Sequence, residues 1–342
     1  MKETAIRVFV TTLVAVAVVV AALVLWKLRI LIALLFLAFI VAAAMRPSIE
    51  ALRRRRVPRG VGIGIHYVAL AGLVGLLLWL VVPRAADQVE SAIGDASQGS
   101  GWKHDALRSL DRWLSDLPHT RGVVSNALDA TVLGVEILVG IFFVLTSAAY
   151  WIFERDRAVD LVTSLVPPPR RKIVRDTWDL IDLKLGAFVR GQAVLIVLVA
   201  TVLSLAFWAI GLPYWILIGS FAGLVEIVPV IGPLTAGALA VGVGLTESWQ
   251  LALAAGVIVL AVRLLEDYLV IPKVLGDAVG LSPLLVLVAV TATAVVFGGF
   301  AILFAIPLAA VLATLVDVIV LNKNPAEEDV PAVLFPAKDA EG

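Results

Sequence analysis

The chain has 342 residues, 61% of them hydrophobic and only 16% charged, with 27 basic side chains balancing 27 acidic ones. A soluble domain carries roughly 45–50% apolar and about 25% charged residues, so an ordinary soluble protein is excluded and an all-α polytopic membrane protein is predicted. The absence of cysteine and the scatter of three histidines (His66, His104, His119) exclude disulfides, thiolate metal sites and His-rich metal sites.

No cofactor, metal or nucleic-acid partner is expected; membrane lipids are. The first apolar run, Val8 to Trp26, follows Lys2 and Arg7 and is followed by Lys27 and Arg29. It is longer than the roughly 7–15 residues of a signal-peptide core and close to the ~20 that cross a bilayer, so it reads as a retained first helix. Further apolar runs place spans near residues 6–25, 30–45, 61–82, 131–153, 189–210 and 251–265. Between the second and third, Arg53-Arg54-Arg55-Arg56-Val57-Pro58-Arg59 carries five arginines and no acid, which predicts a cytoplasmic loop. The N-terminus then lies on the same side.

Residues 84–130 are polar and fall outside. Within them Leu107, Leu110, Trp113, Leu114 and Leu117 recur at helical spacing, predicting an amphipathic helix. Residues 154–188 return inside, carrying Arg155, Arg157, Arg170, Arg171, Lys172 and Arg175. Pro167-Pro168-Pro169 should stop any helix there. The stripe Ile173, Val174, Trp178, Ile181 and Leu185 predicts a separate helix lying in the inner headgroup region. The tail from Asn322, with Glu327-Glu328-Asp329 and three prolines, reads as disordered.

Two apolar stretches are broken in the same manner. One contains Gly211-Leu212-Pro213 and then Val228-Pro229-Val230-Ile231-Gly232-Pro233. The other contains Gly280-Leu281-Ser282-Pro283, then Phe297-Gly298-Gly299 and Ile306-Pro307. Proline removes a backbone donor, and irregular backbone survives at membrane depth only where protein or a water-filled cavity surrounds it. Both stretches are therefore predicted to be re-entrant; the second could equally be two full spans. The parity of the spans gives the two stretches opposite orientations, an inverted repeat of the kind that builds substrate sites in transporters. About eight spans with two broken hairpins meeting near the midplane are expected.

Ionisable side chains in such segments are costly and mark function. Glu226, three residues before Pro229, is the leading candidate for proton or cation coupling; a hairpin-tip cap is the plainer account. Arg263, Glu266 and Asp267, three and four apart, can pair on one helical face, either as an interfacial ion pair or as a gate. Gln192 joins the candidate pathway, with Pro229, Gly232, Pro233, Gly298, Gly299 and Pro307 shaping the breaks. Asp317 should snorkel and Glu136 should be structural. There is no Gly-rich loop ending in Gly-Lys-Ser/Thr and no His-Glu-x-x-His, and Leu275-Gly276-Asp277 stands without a partner aspartate, so enzymatic chemistry is not expected.

Arg46-Pro47, the arginine run ending Pro58-Arg59-Gly60, Phe188-Val189-Arg190-Gly191-Gln192, Glu226 to Pro233, Glu266 to Pro272, Gly280-Leu281-Ser282-Pro283 and Ala305-Ile306-Pro307-Leu308 together resemble the autoinducer-2 exporter family. The resemblance runs over roughly residues 10–320. It implies a multi-pass protein of the bacterial cytoplasmic membrane with both termini cytoplasmic, assembled as a homo-oligomer. It also implies efflux of a small polar signal or exchange of sodium or lithium for protons. Glu226 stands where many relatives carry a neutral polar residue, a departure that leans toward cation or proton coupling.

The expected organisation is three spans with the arginine loop (1–83), an external segment (84–130), a fourth span (131–153), an internal linker (154–188), a transport core (189–321) and a tail (322–342). The expected function is proton-coupled export of a small polar solute such as autoinducer-2, with monovalent cation/proton antiport as the alternative. A non-transporting scaffold that recruits partners through residues 84–130 or the tail is the alternative of another class.

Overall fold

The computed structural model describes residues 2–72, 74–76, 79, 83, 127–228, 231–271, 282–328 and 330. The predicted external amphipathic helix, Pro229, Asp277 and the Gly280-Leu281 pair lie outside them. The described residues are predominantly helical, with no strand among them. In chain order the helices are α1 (Lys2–Lys27), α2 (Arg29–Arg54), α3 (Arg59–Leu76), α4 (Ala127–Ser164), α5 (Arg171–Ala209), α6 (Trp215–Val225), α7 (Ile231–Glu247), α8 (Trp249–Leu265), α9 (Pro283–Phe297) and α10 (Ala305–Ile319). A 3₁₀ turn at Pro168–Arg170 precedes α5, a π turn at Glu266–Val270 follows α8, and a 3₁₀ turn at Gly299–Phe304 precedes α10.

Among the described residues, six helical stretches are long and apolar enough to cross a membrane: Phe9–Lys27, Arg29–Arg54, Arg59–Leu76, Gly134–Ser164, Pro168–Ala209 and Gly299–Ile319. The chain is therefore a multi-pass membrane protein. By contrast α6, with 11 residues, is only about 16 Å long at 1.5 Å per residue, half of a hydrocarbon core of ~30 Å.

The long helix α5 is the spine. Its C-terminal half (Val199, Leu203, Phe207) packs with Ile218 and Ala222 of α6, Ala236 and Ala240 of α7, and Ala255 and Val262 of α8. Its N-terminal half places Leu185 against Ala33, Ile40 and Ala43 of α2 and against Ala301 and Phe304. Alanines recur in both seams, as expected where helices associate in lipid by close packing rather than by a hydrophobic drive. The N-terminal helix α1 carries apolar side chains on every face, and those described are exposed.

Three expectations change. The stripe from Ile173 to Leu185 is no separate surface helix, because α5 runs unbroken for 39 residues from Arg171. Gly186 does not interrupt it. A Cβ there would lie 2.5 Å from the Ala43 carbonyl oxygen, so the glycine is what lets α5 press against α2. Helix α2 likewise continues through Pro47 to Arg54. Proline leaves the Ala43 carbonyl without its partner in the helix ladder; that carbonyl faces Gly186, and Arg190 Nη1 donates to the neighbouring Ala44 carbonyl at 3.2 Å. Finally, the tail begins ordered. Lys323 pairs with Asp317 at 2.9 Å, Pro325 is buried, and Glu328 reaches back to pair with Lys184 of α5.

The two arginine-rich segments occupy one end of the bundle, as the charge pattern predicts. Arg59 approaches Asp156 at 3.6 Å, Arg46 Nη1 donates to Asp182 Oδ2 at 3.1 Å, and Arg155 Nε donates to the same oxygen at 2.6 Å. Helices α2, α4 and α5 are thereby tied together.

Candidate functional site

The site is built by the register between α5 and α6. Gly219 and Gly223, one turn apart, let the two helices touch. A Cβ at Gly219 would lie 2.6 Å from the Ser204 amide nitrogen, and one at Gly223 would lie 2.6 Å from the Ile196 carbonyl oxygen. This antiparallel pairing continues one turn further and sets Glu226, at the end of α6, beside Gln192. The Gln192 Nε2 amide donates to the Glu226 carbonyl at 3.1 Å. The chain then turns sharply: a Cβ on Gly232 would fall 2.0 Å from the Val225 carbonyl oxygen, so the entry of α7 closes over the end of α6 only with glycine there.

Helix α8 supplies the counter-charge. Arg263 Nη1 donates to Glu226 Oε1 at 3.2 Å and to Glu266 Oε2 at 3.5 Å, while Nη2 pairs with Asp267 at 3.0 Å. The predicted i,i+3 and i,i+4 pairs therefore both form, and Glu226 joins them from 37 residues away. The helix widens into its π turn at Glu266, a distortion that recurs at functional sites. Glu226 is 7% and Glu266 2% exposed, and Glu266 Oε1 is buried without a hydrogen-bond partner.

Three carboxyl groups thus share one guanidinium. Buried charge is tolerated only when paired, and like carboxylates at close range cannot all ionise. Asp267 keeps 41% of its side chain exposed, so the guanidinium faces two buried carboxyl groups, Glu226 and Glu266. The space among Val199, Leu203, Ala222, Glu226, Pro233 and Arg263 is about 10 Å³, the lower limit for one water. No solute fits without movement of α6–α7 against α8.

The structure gathers Glu226, Gln192, Gly232, Pro233, Arg263, Glu266 and Asp267. It does not bring Gly298, Gly299 or Pro307 to them. Gly298 ends α9, and Phe297 and Phe304 on either side of the turn pack at 6.0 Å between ring centroids. Phe304 belongs to the aromatic seam on α2, and Pro307 is fully buried in α10. Among the described residues the two breaks therefore do not meet in one site: the first packs on the C-terminal half of α5, the second on its N-terminal half.

Sequence reasoning passed over the buried charges at the arginine-rich end, Arg155, Asp182 and Lys184, which the half-exposed Arg46 joins. Asp182 is 5% exposed and its Oδ1 lacks a partner. The usable signal was the alternation of Asp179 and Asp182 with the apolar stripe of α5, which marks a second face that needs arginines opposite.

A family model described as AI-2E family transporter matches residues 13–321. Among curated proteins, "Putative transport protein YrrI" of Bacillus subtilis (strain 168) is 22% identical, covering 81% of this chain and 83% of the relative. "Putative transport protein YueF" of the same organism is 24% identical over 76% and 77% of the two chains. "Putative transport protein MT0215" of Mycobacterium tuberculosis (strain CDC 1551 / Oshkosh) is 26% identical over 87% and 85%.

Proposed function

Since the chain belongs to the AI-2E transporter family, we propose that it is a proton-coupled secondary transporter of a small polar solute such as autoinducer-2, with Glu226, Arg263 and Glu266 as the coupling site. The observation that carries the reading is the sharing of Arg263 by three carboxyl groups at a helix break. Protonating Glu226 or Glu266 frees the guanidinium to hold the remaining carboxylates, which changes what ties α6 to α8. Proton binding and movement of the α6–α7 pair are then the same event. Helix α6, too short to cross a bilayer, serves as one arm of a re-entrant hairpin, with Gln192 holding its tip and Pro229, Gly232 and Pro233 shaping the turn. In this reading the arginine-rich end faces the cytoplasm of a bacterial cell. The exposed apolar faces of α1 support a homo-oligomer.

Monovalent cation/proton antiport is the second reading. It is favoured by the unpartnered Glu266 Oε1 beside a second buried carboxylate. Proteoliposomes with a trapped pH dye separate the two. Autoinducer-2 alone moving protons supports solute coupling; sodium or lithium alone moving them supports antiport. No response to either, in tight vesicles, contradicts both.

A further inference from the structure

The apolar stripe of α5 that the sequence assigned to a membrane surface remains partly uncovered. Ile173, Val174 and Trp178 of α5 face Leu315 and Ile319 of α10, with Phe39 at one end, across a groove of about 710 Å³. That volume lies within the roughly 300–1,000 Å³ typical of small-molecule sites, and it dwarfs the ~10 Å³ left in the coupling cluster. Ile173 and Ile319 are exposed. Both α5 and α10 belong to stretches able to cross a membrane, Pro168–Ala209 and Gly299–Ile319, and Arg170 also lines the groove. Arg171, which donates from Nε to the Val166 carbonyl at 3.0 Å, and Lys172 follow Arg170 in sequence. An apolar channel rooted in a spanning helix and opening at a basic rim has the polarity of a phospholipid: acyl chain along the channel, phosphate at the arginine.

We infer that the groove between α5 and α10 binds an anionic phospholipid, with one acyl chain against Val174, Trp178 and Leu315 and the phosphate at Arg170. Charge complementarity selects the occupant, since the one charged side chain lining the groove, Arg170, is a cation. The site lies apart from the cluster at Arg263 and does not depend on which solute is carried.

Native mass spectrometry of the full-length protein with phosphatidylglycerol or phosphatidylcholine of identical acyl chains tests this. Wild type should retain phosphatidylglycerol preferentially. Arg170→Glu, at an exposed position, should weaken that lipid about tenfold and leave phosphatidylcholine unchanged. Leu315→Trp, which narrows the groove where the acyl chain would lie, should weaken both. Equal retention of the two lipids by wild type, or indifference to Arg170→Glu, overturns the proposal. So does lipid binding that appears only after Val333, Leu334 and Phe335 are changed to Asp, because the chain's own tail then fills the groove. Lipid held by the monomer and excluded from the oligomer overturns it too, since a second copy then covers the face.

Discussion

The two broken segments of this chain look alike in sequence and are built differently. In the first, α6 and α7 pack on the C-terminal half of α5 and deliver Glu226 to the half-buried guanidinium of Arg263. In the second, α9 and α10 flank a 3₁₀ turn, and Phe304 joins a seam with α2 and the N-terminal half of α5. Gly298 breaks the second segment because its φ of +96° and ψ of 171° suit only glycine. Nothing ionisable accompanies that break. A proline–glycine pattern in an apolar run thus marks where a helix must end, while the charge brought to the break decides whether it carries chemistry.

Removing Arg263 should have the largest effect. Arg263→Met leaves Glu226, Glu266 and Asp267 facing one another, and breaking a buried pair in this way costs about 3 kcal/mol. Thermal unfolding in detergent should show a clear fall in Tm together with loss of transport. Adding Glu226→Gln and Glu266→Gln to that variant should restore Tm and leave transport absent. If transport returned with stability, the charges would be structural, and the two segments would not differ as argued.

Gly223→Leu comes next. The new side chain starts 2.6 Å from the Ile196 carbonyl, an overpacking worth ~1–3 kcal/mol. It should separate Glu226 from Gln192, so transport per folded molecule falls along with Tm. Gly298→Ala sharpens the contrast from the other side. Forcing a Cβ into that backbone costs about 1–3 kcal/mol, so Tm falls, yet each folded molecule should transport as wild type does. Loss of transport at full folding would put the second break into the coupling machinery. Asp317→Asn should do least. Its partner Lys323 is more than half exposed, and loss of such a surface pair should stay within about 0.5 kcal/mol with normal transport.

Much of this architecture was legible in the residues. The arginine runs placed two distant segments on one side, and the contacts of Arg46 with Asp182 and of Arg59 with Asp156 join them there. Arg263, Glu266 and Asp267 were readable as one helical face because i,i+3 and i,i+4 spacing is local. Their union with Glu226 was not, since it depends on Gly219 and Gly223 setting the register of α6 on α5, a tertiary fact with no local periodicity. The continuity of α5 was hidden because charged residues interleave with its apolar stripe, which reads as a surface helix unless α2 and α10 are known to cover part of it. The fold-back of Glu328 onto Lys184 was concealed by composition: acid and proline suggest disorder, and only the buried lysine on α5 gives that acid a place to bind.

The central claim is that the first break couples protons and the second does not. Proton flux per reconstituted molecule, wild type against Glu226→Gln, tests it most directly in tight proteoliposomes with a trapped pH dye and a gradient of the transported solute. The coupling site predicts that Glu226→Gln, folded and inserted like wild type, falls to the flux of empty liposomes. Undiminished flux in that variant would contradict the account and leave Glu226 as the cap of a helix end.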